Sequence, residues 1–220
     1  MNQLIKPRIL MLNANSSCSV TKGMEEELEV PASLLNVTID YDQIAEAPEA
    51  IESMEDVHLA HKLVTEYVKK SEYDAYVIAC FCDPGVQELR ALGFQNVFGI
   101  AESAMHLAAN SGGKFGMISI LDVSVERHIK QVVRAGLSDL LAADLALNLG
   151  VLELEDIELA RPRIEEVGRA LVEKFGAESL ILGCAGMGLH KEWLQNLLNK
   201  PIIDPCWAGL SMAVAYLGSK

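Results

Sequence analysis

The chain carries five cysteines among its 220 residues. The count is odd and the spacing irregular, which reads as free thiols rather than a secreted disulfide framework. Two of them stand in matching surroundings. Cys80 ends the apolar run Tyr76-Val77-Ile78-Ala79, and Cys184 ends Leu180-Ile181-Leu182-Gly183. Each leads into a turn of small residues: Phe81, Cys82, Asp83, Pro84 and Gly85 after the first, Ala185, Gly186, Met187 and Gly188 after the second. Ligands of open α/β sheets bind beyond the carboxyl ends of strands, and helix N-termini there favour a thiolate. A pair of such thiols on opposite sides of one bound carbon suits the inversion of a carbon acid. One thiolate removes a proton from one face, fixed N–H donors hold the carbanion, and the other thiol returns a proton to the opposite face. The reverse reaction exchanges the roles, so the two groups should be alike and no cofactor is needed. A single strand-end cysteine more often packs as a small hydrophobe; equivalence of two favours chemistry.

The elements that position these thiols follow from hydrophobic patterning. Short apolar runs predict strands at Arg8–Asn13 and at residues 33–40, 75–81, 96–100, 114–120, 145–149, 179–183 and 201–203. Amphipathic segments between them predict helices at 49–70, 122–136, 155–175 and 191–199. Such alternation means α/β architecture with mainly parallel sheets flanked by helices. The chain also repeats itself at an offset of about 105 residues. Arg8–Asn13 falls on residues 114–119, residues 74–80 fall on 178–184, and residues 96–100 fall on 200–204, with a helix after each last segment. Two pseudo-symmetric lobes are expected, 1–110 and 111–220, with the last helix packing back on the first lobe. No low-complexity linker separates them.

At these residues the sequence resembles the aspartate/glutamate/hydantoin racemase superfamily, in its hydantoin and allantoin racemase branch. Ala79-Cys80-Phe81-Cys82-Asp83-Pro84-Gly85 is similar to that branch's Ala-Cys-Phe-Gly-Asp-Pro-Gly. Leu182-Gly183-Cys184-Ala185-Gly186-Met187 matches its Leu-Gly-Cys-Ala-Gly-Met. Asn13-Ala14-Asn15-Ser16-Ser17 is similar to its Asn-Pro-Asn-(Thr/Ser)-Ser loop, and residues 99–104 and 203–205 have counterparts too. The resemblance spans nearly the whole chain. It implies two flavodoxin-like lobes, cofactor-independent racemisation and a homo-oligomer. It implies that Cys80 and Cys184 are the acid/base pair and that Asn13 and Asn15 help bind substrate; Ser16, Ser17 and Ser119 are read besides as donors to the cleft. Main-chain groups around Phe81, Cys82, Asp83, Gly85, Gly183, Ala185 and Gly186 would hold the ring carbonyls. Two departures stand out: Ala14 replaces a proline, and Cys82 replaces a glycine where it would narrow the pocket.

Composition limits the alternatives. Eighteen Lys+Arg against 31 Asp+Glu give a net charge of −13, which repels phosphate backbones and anionic lipid, so neither nucleic acid nor a membrane surface is an expected partner. The longest apolar runs fall far short of a membrane span. The opening residues lack a secretory pattern, so a cytoplasmic protein acting on a small molecule is expected. Cys80, Cys82, Cys184 and Cys206 lack metal-site spacing, and no metal is expected; His58 and His61 read as a helix face. Asp83 and Asp204 are read either as helix caps or as supports for the turns that face substrate. A 5-substituted hydantoin or allantoin is the first expectation for substrate, since no Arg or Lys lies within the strand-end motifs to meet a diacid. Aspartate or glutamate racemisation, a maleate-type isomerisation, or a non-catalytic metabolite-binding α/β protein are the alternatives.

Overall fold

The computed structural model describes residues 6–220. Two four-stranded sheets, every strand parallel to its neighbours, form the frame. In the first, β1 (Arg8–Asn13), β2 (Thr38–Gln43), β3 (Ala75–Ala79) and β4 (Val97–Gly99) lie in the order 2-1-3-4. In the second, β5 (Phe115–Ser119), β6 (Leu141–Ala146), β7 (Ser179–Leu182) and β8 (Ile202–Ile203) lie in the order 6-5-7-8, the same order repeated. Strand direction reverses its lateral progress between β1 and β3, and again between β5 and β7. Those two switch points are where an open α/β sheet forms its ligand crevice.

The helices are α1 (Cys18–Ala32), α2 (Met54–Lys70), α3 (Val86–Ala91), α4 (Ile100–Asn110), α5 (Asp122–Arg134), α6 (Ile157–Glu173), α7 (Lys191–Leu198) and α8 (Pro205–Gly218). Two predicted strands are displaced. The expected strand at 33–40 begins at Thr38, because α1 continues to Ala32 and Ser33, Leu34 and Leu35 still bond back to the helix. The expected strand at 145–149 runs over Leu141–Ala146; Leu147 and Leu149 then bond to Ser119 and Ile120 outside the regular ladder. The helix predicted from residue 49 starts at Met54, set by a capping box: Ser53 Oγ accepts from Asp56 N–H (3.1 Å) and Asp56 Oδ2 accepts from Ser53 N–H (2.8 Å).

The two halves exchange their final helices. Helix α8 packs on the first sheet, placing Cys206, Leu210 and Ala213 against Ile9, Met11, Val77 and Ile100. The first half does the same in return: Ala101, Ala104, Met105 and Ala108 of α4 pack with Phe115, Met117, Ile181 and Ile203 of the second sheet. The repeat boundary near residue 110 is therefore not a packing boundary. Among the described residues no helix is long and apolar enough to cross a membrane.

Candidate active site

The carboxyl ends of β3 and β7 deliver the site. Both strands are wholly buried, which fixes where their last residues emerge. Cys80 and Cys184 line one and the same cavity. From the first half, Asn15, Phe81 and Cys82 join the wall; from the second, Gly183 and Ala185. The cavity is tight, about 40 Å³, room for roughly three waters at the volume one needs. Gly183 is required by contact: its N–H donates to Ile118 O at 2.9 Å, and a Cβ there would lie 2.5 Å from that oxygen.

The remaining expected residues stand behind the wall. Asn13 is buried and braces the first loop: its Nδ2 donates to Asn15 Oδ1 (2.7 Å), Ser17 O (3.2 Å) and Thr21 Oγ1 (3.1 Å), and its Oδ1 accepts from Asn15 N–H (3.1 Å). Asn15 is thus the loop residue that meets the cavity. Ser16 donates its N–H to Pro48 O, away from it. Asp83 does not cap its own helix α3. Its carboxylate accepts from Ala101 and Glu102 N–H, 2.9 Å each, at the start of α4. Gly85, at φ +77, precedes α3 and gives its N–H to His61 Nδ1 (3.2 Å). Asp204 caps α8 through Trp207 N–H (2.7 Å). Cys18 is exposed, and Cys206 is buried outside the cavity.

The two thiols differ electrostatically. Cys82 Sγ lies 3.3 Å from Cys80 Sγ. Donation from the Cys82 S–H, with help from the Cys82 main-chain N–H and the Arg127 charge, holds Cys80 below the usual thiol range, and the Cys82 thiol is pushed well above it. Burial pushes Cys184 up to about 12, against the opposing pull of the Gly186 and Ala185 N–H groups. The sequence suggested that both thiols would be activated by helix N-termini. Main-chain N–H groups do pull on both, but one is favoured as thiolate chiefly by a neighbouring side chain, and the other is kept as thiol by desolvation.

Sequence reasoning missed the contribution of α5. Ser124, Arg127 and His128 all line the cavity, so a cation does face the thiols although none lies in the strand-end motifs. Arg127 donates to Ser124 Oγ (3.0 Å), and its Nε has no partner. His128 is buried, with Nδ1 2.8 Å from Ser119 Oγ and 3.1 Å from Asp144 Oδ2. Ser119, expected to offer a donor to the cleft, gives its hydroxyl to Asp144 Oδ1 (2.5 Å). The imidazole meets Phe81 edge-on, ring centroids 5.0 Å apart, and so backs the loop that carries Cys80. Helical spacing of Ser124, Arg127 and His128 was the only signal in the sequence, and it does not say which sheet end the helix overlooks.

The family model described as Asp/Glu/Hydantoin racemase matches residues 9–213. The chain is 35% identical over 212 residues to the hydantoin racemase of Paenarthrobacter aurescens, covering 94% of this chain and 89% of that protein. Among solved structures it is similar to the allantoin racemase from Klebsiella pneumoniae (29% identity, TM-score 0.87, 97% of this chain and 88% of that one). It is similar also to the allantoin racemase from Pseudomonas fluorescens (27% identity, TM-score 0.89, 96% and 92%).

Proposed function

The chain belongs to the Asp/Glu/hydantoin racemase family, in its hydantoin and allantoin branch, and from that premise we propose that it inverts C5 of a 5-substituted hydantoin, allantoin included, with Cys80 and Cys184 as the acid/base pair. One observation carries the reading: two thiols from equivalent positions of a duplicated topology line a single small cavity. The C5–H of such a ring is acidified by the adjacent carbonyl. In one direction the Cys80 thiolate takes the proton, the C–H electron pair passes into the enolate, and an S–H bond forms. The Cys184 thiol then gives its proton to the opposite face of C5. Inversion leaves the sulfurs with exchanged protonation, and proton exchange with solvent restores the favoured state because Cys184 resists ionisation. The reverse direction uses the same groups in the other order. Asn15 and the main chain at Phe81, Cys82, Gly183 and Ala185 are the binding groups in this proposal, with Arg127 as the cation on the cavity wall. The protein acts as a homo-oligomer in the same reading, supported by Val30 and Leu34, which are 74% and 85% exposed beside the end of α1.

The test is racemisation in deuterated water, followed by polarimetry and mass spectrometry. The wild type should incorporate deuterium at C5 of both enantiomers. Cys80→Ser and Cys184→Ser should each lose more than ~100-fold in racemisation, through loss of positioned acid–base catalysis. Each variant should still exchange one enantiomer, since the surviving thiol can remove and return the proton on its own face. Near-normal turnover by either variant would sink the two-thiol mechanism.

A further inference from the structure

A second cleft adjoins the thiol cavity. Cys82 and Arg127 line both, so the two spaces meet across these side chains. The second measures about 350 Å³, far roomier than the first, and it is basic. Arg127, Lys130 and Arg134 of α5 all reach it; residues three, four and seven apart share one helix face. In a chain with net charge −13, three cations on the wall of one cleft run against the overall balance.

The acids on the same wall do little to cancel them. Glu102 is held by the guanidinium of Arg90, whose Nη1 lies 2.9 Å from Oε2. Asp83 is occupied by two main-chain N–H groups, and burial pushes its carboxyl up to about 8. Lys130 has a solvent-exposed partner in Glu126 on its own helix (2.7 Å), a pairing of little strength. Neither Arg127 nor Arg134 has a carboxylate within ion-pair reach among the described residues. One buried donor on this wall, Arg127 Nε, has no hydrogen-bond partner, and buried polar groups ordinarily have one.

We propose that this cleft is a subsite for an anionic substituent on the carbon being inverted, so that the preferred substrates are hydantoins whose 5-substituent ends in a carboxylate. The inference rests on the two-thiol reading of the first cavity. That cavity admits a compact ring and little more, so a substituent at C5 must leave it, and the adjoining cleft offers both the space and the opposite charge. Arg127, at the junction, faces the thiolate and the arm alike; Lys130 and Arg134 meet the arm's end.

The experiment compares 5-(2-carboxyethyl)hydantoin with its carboxamide, an uncharged compound of the same shape. Wild-type kcat/KM should favour the acid at least tenfold, and Arg134→Gln should reduce that acid-to-amide ratio at least tenfold. Raising the salt concentration on the unmodified enzyme is a second reading that needs no variant. The acid's kcat/KM should fall and the amide's should hold, because exposed charge pairs are screened. Equal kcat/KM for acid and amide, or a ratio unmoved in Arg134→Gln and by salt, would overturn the subsite while leaving the two-thiol mechanism standing. Failure to racemise both compounds and a 5-alkyl hydantoin besides would remove the premise, and the subsite with it.

Discussion

At the scale of single residues, Cys82 is the side chain that makes the two thiols unlike. A glycine at this position would offer Cys80 no side-chain donor, whereas the S–H of Cys82 sits 3.3 Å from it. A hydrogen bond to the charged form favours that form. Cys82→Ala is therefore expected to move the rising limb of the pH–rate profile to higher pH, for the enantiomer whose proton Cys80 takes. The sign follows from the direction of the shift: Cys80 works as thiolate, its ionisation is eased in the wild type, and losing the donor requires more alkaline conditions for the same thiolate fraction. Activity at neutral pH should drop as a result, and raising the pH should recover it. A rising limb that stays in place would show that Cys82 only fills space. Cys80 itself was legible in the sequence because strand-end position and turn composition are local properties. The inequality of Cys80 and Cys184 was legible only in part: Cys82 stands two residues from Cys80, but the burial that holds up Cys184 and the charge of Arg127, 47 positions from Cys80, come from the fold.

At the scale of elements, patterning located strands and helices well wherever a strand was buried on both faces. The runs at β3, β5 and β7 are wholly buried and read as continuous apolar segments. The sheet-edge strands β2 and β6 are half-exposed; their weaker signal displaced the expected boundaries by several residues. The packing of the last helix on the first lobe was an expectation; what no pattern announced is its counterpart, the packing of α4 on the second sheet. Both helices are apolar enough to need covering, but an apolar face does not say which sheet covers it. The exchange predicts that a chain cut after residue 110 lacks a partner for Ala101, Ala104, Met105 and Ala108, since Phe115, Ile181 and Ile203 are gone. Residues 1–110 expressed alone should therefore aggregate or melt without a sharp transition, as followed by circular dichroism and size-exclusion chromatography. A monomeric fragment with a cooperative transition would show that the lobes are independent after all.

At the scale of the whole molecule, duplication brings two equivalent loops to one cavity, and the interlocked helices keep them there. A cavity of this size tolerates little movement of its walls, since small misplacements of reacting groups cost large factors in rate. The homo-oligomer proposed above is tested at this scale by sedimentation velocity. A single species near twice the chain mass of 24.0 kDa or more is expected, and Leu34→Glu should shift it toward the monomer. A wild-type monomer at micromolar concentration would remove the proposal.

Strand–helix alternation, the internal repeat and the matched thiols were all determined by the sequence alone. Each rests on neighbours within a few positions or on periodic patterning, which the chain displays directly. The tertiary structure alone decided that both sulfurs share one cavity, that α5 places a cation and a braced imidazole beside them, and that burial keeps Cys184 as the thiol. Those outcomes depend on burial and on charges far apart in the chain. Packing of sheet against helix sets both, and no short segment contains the information.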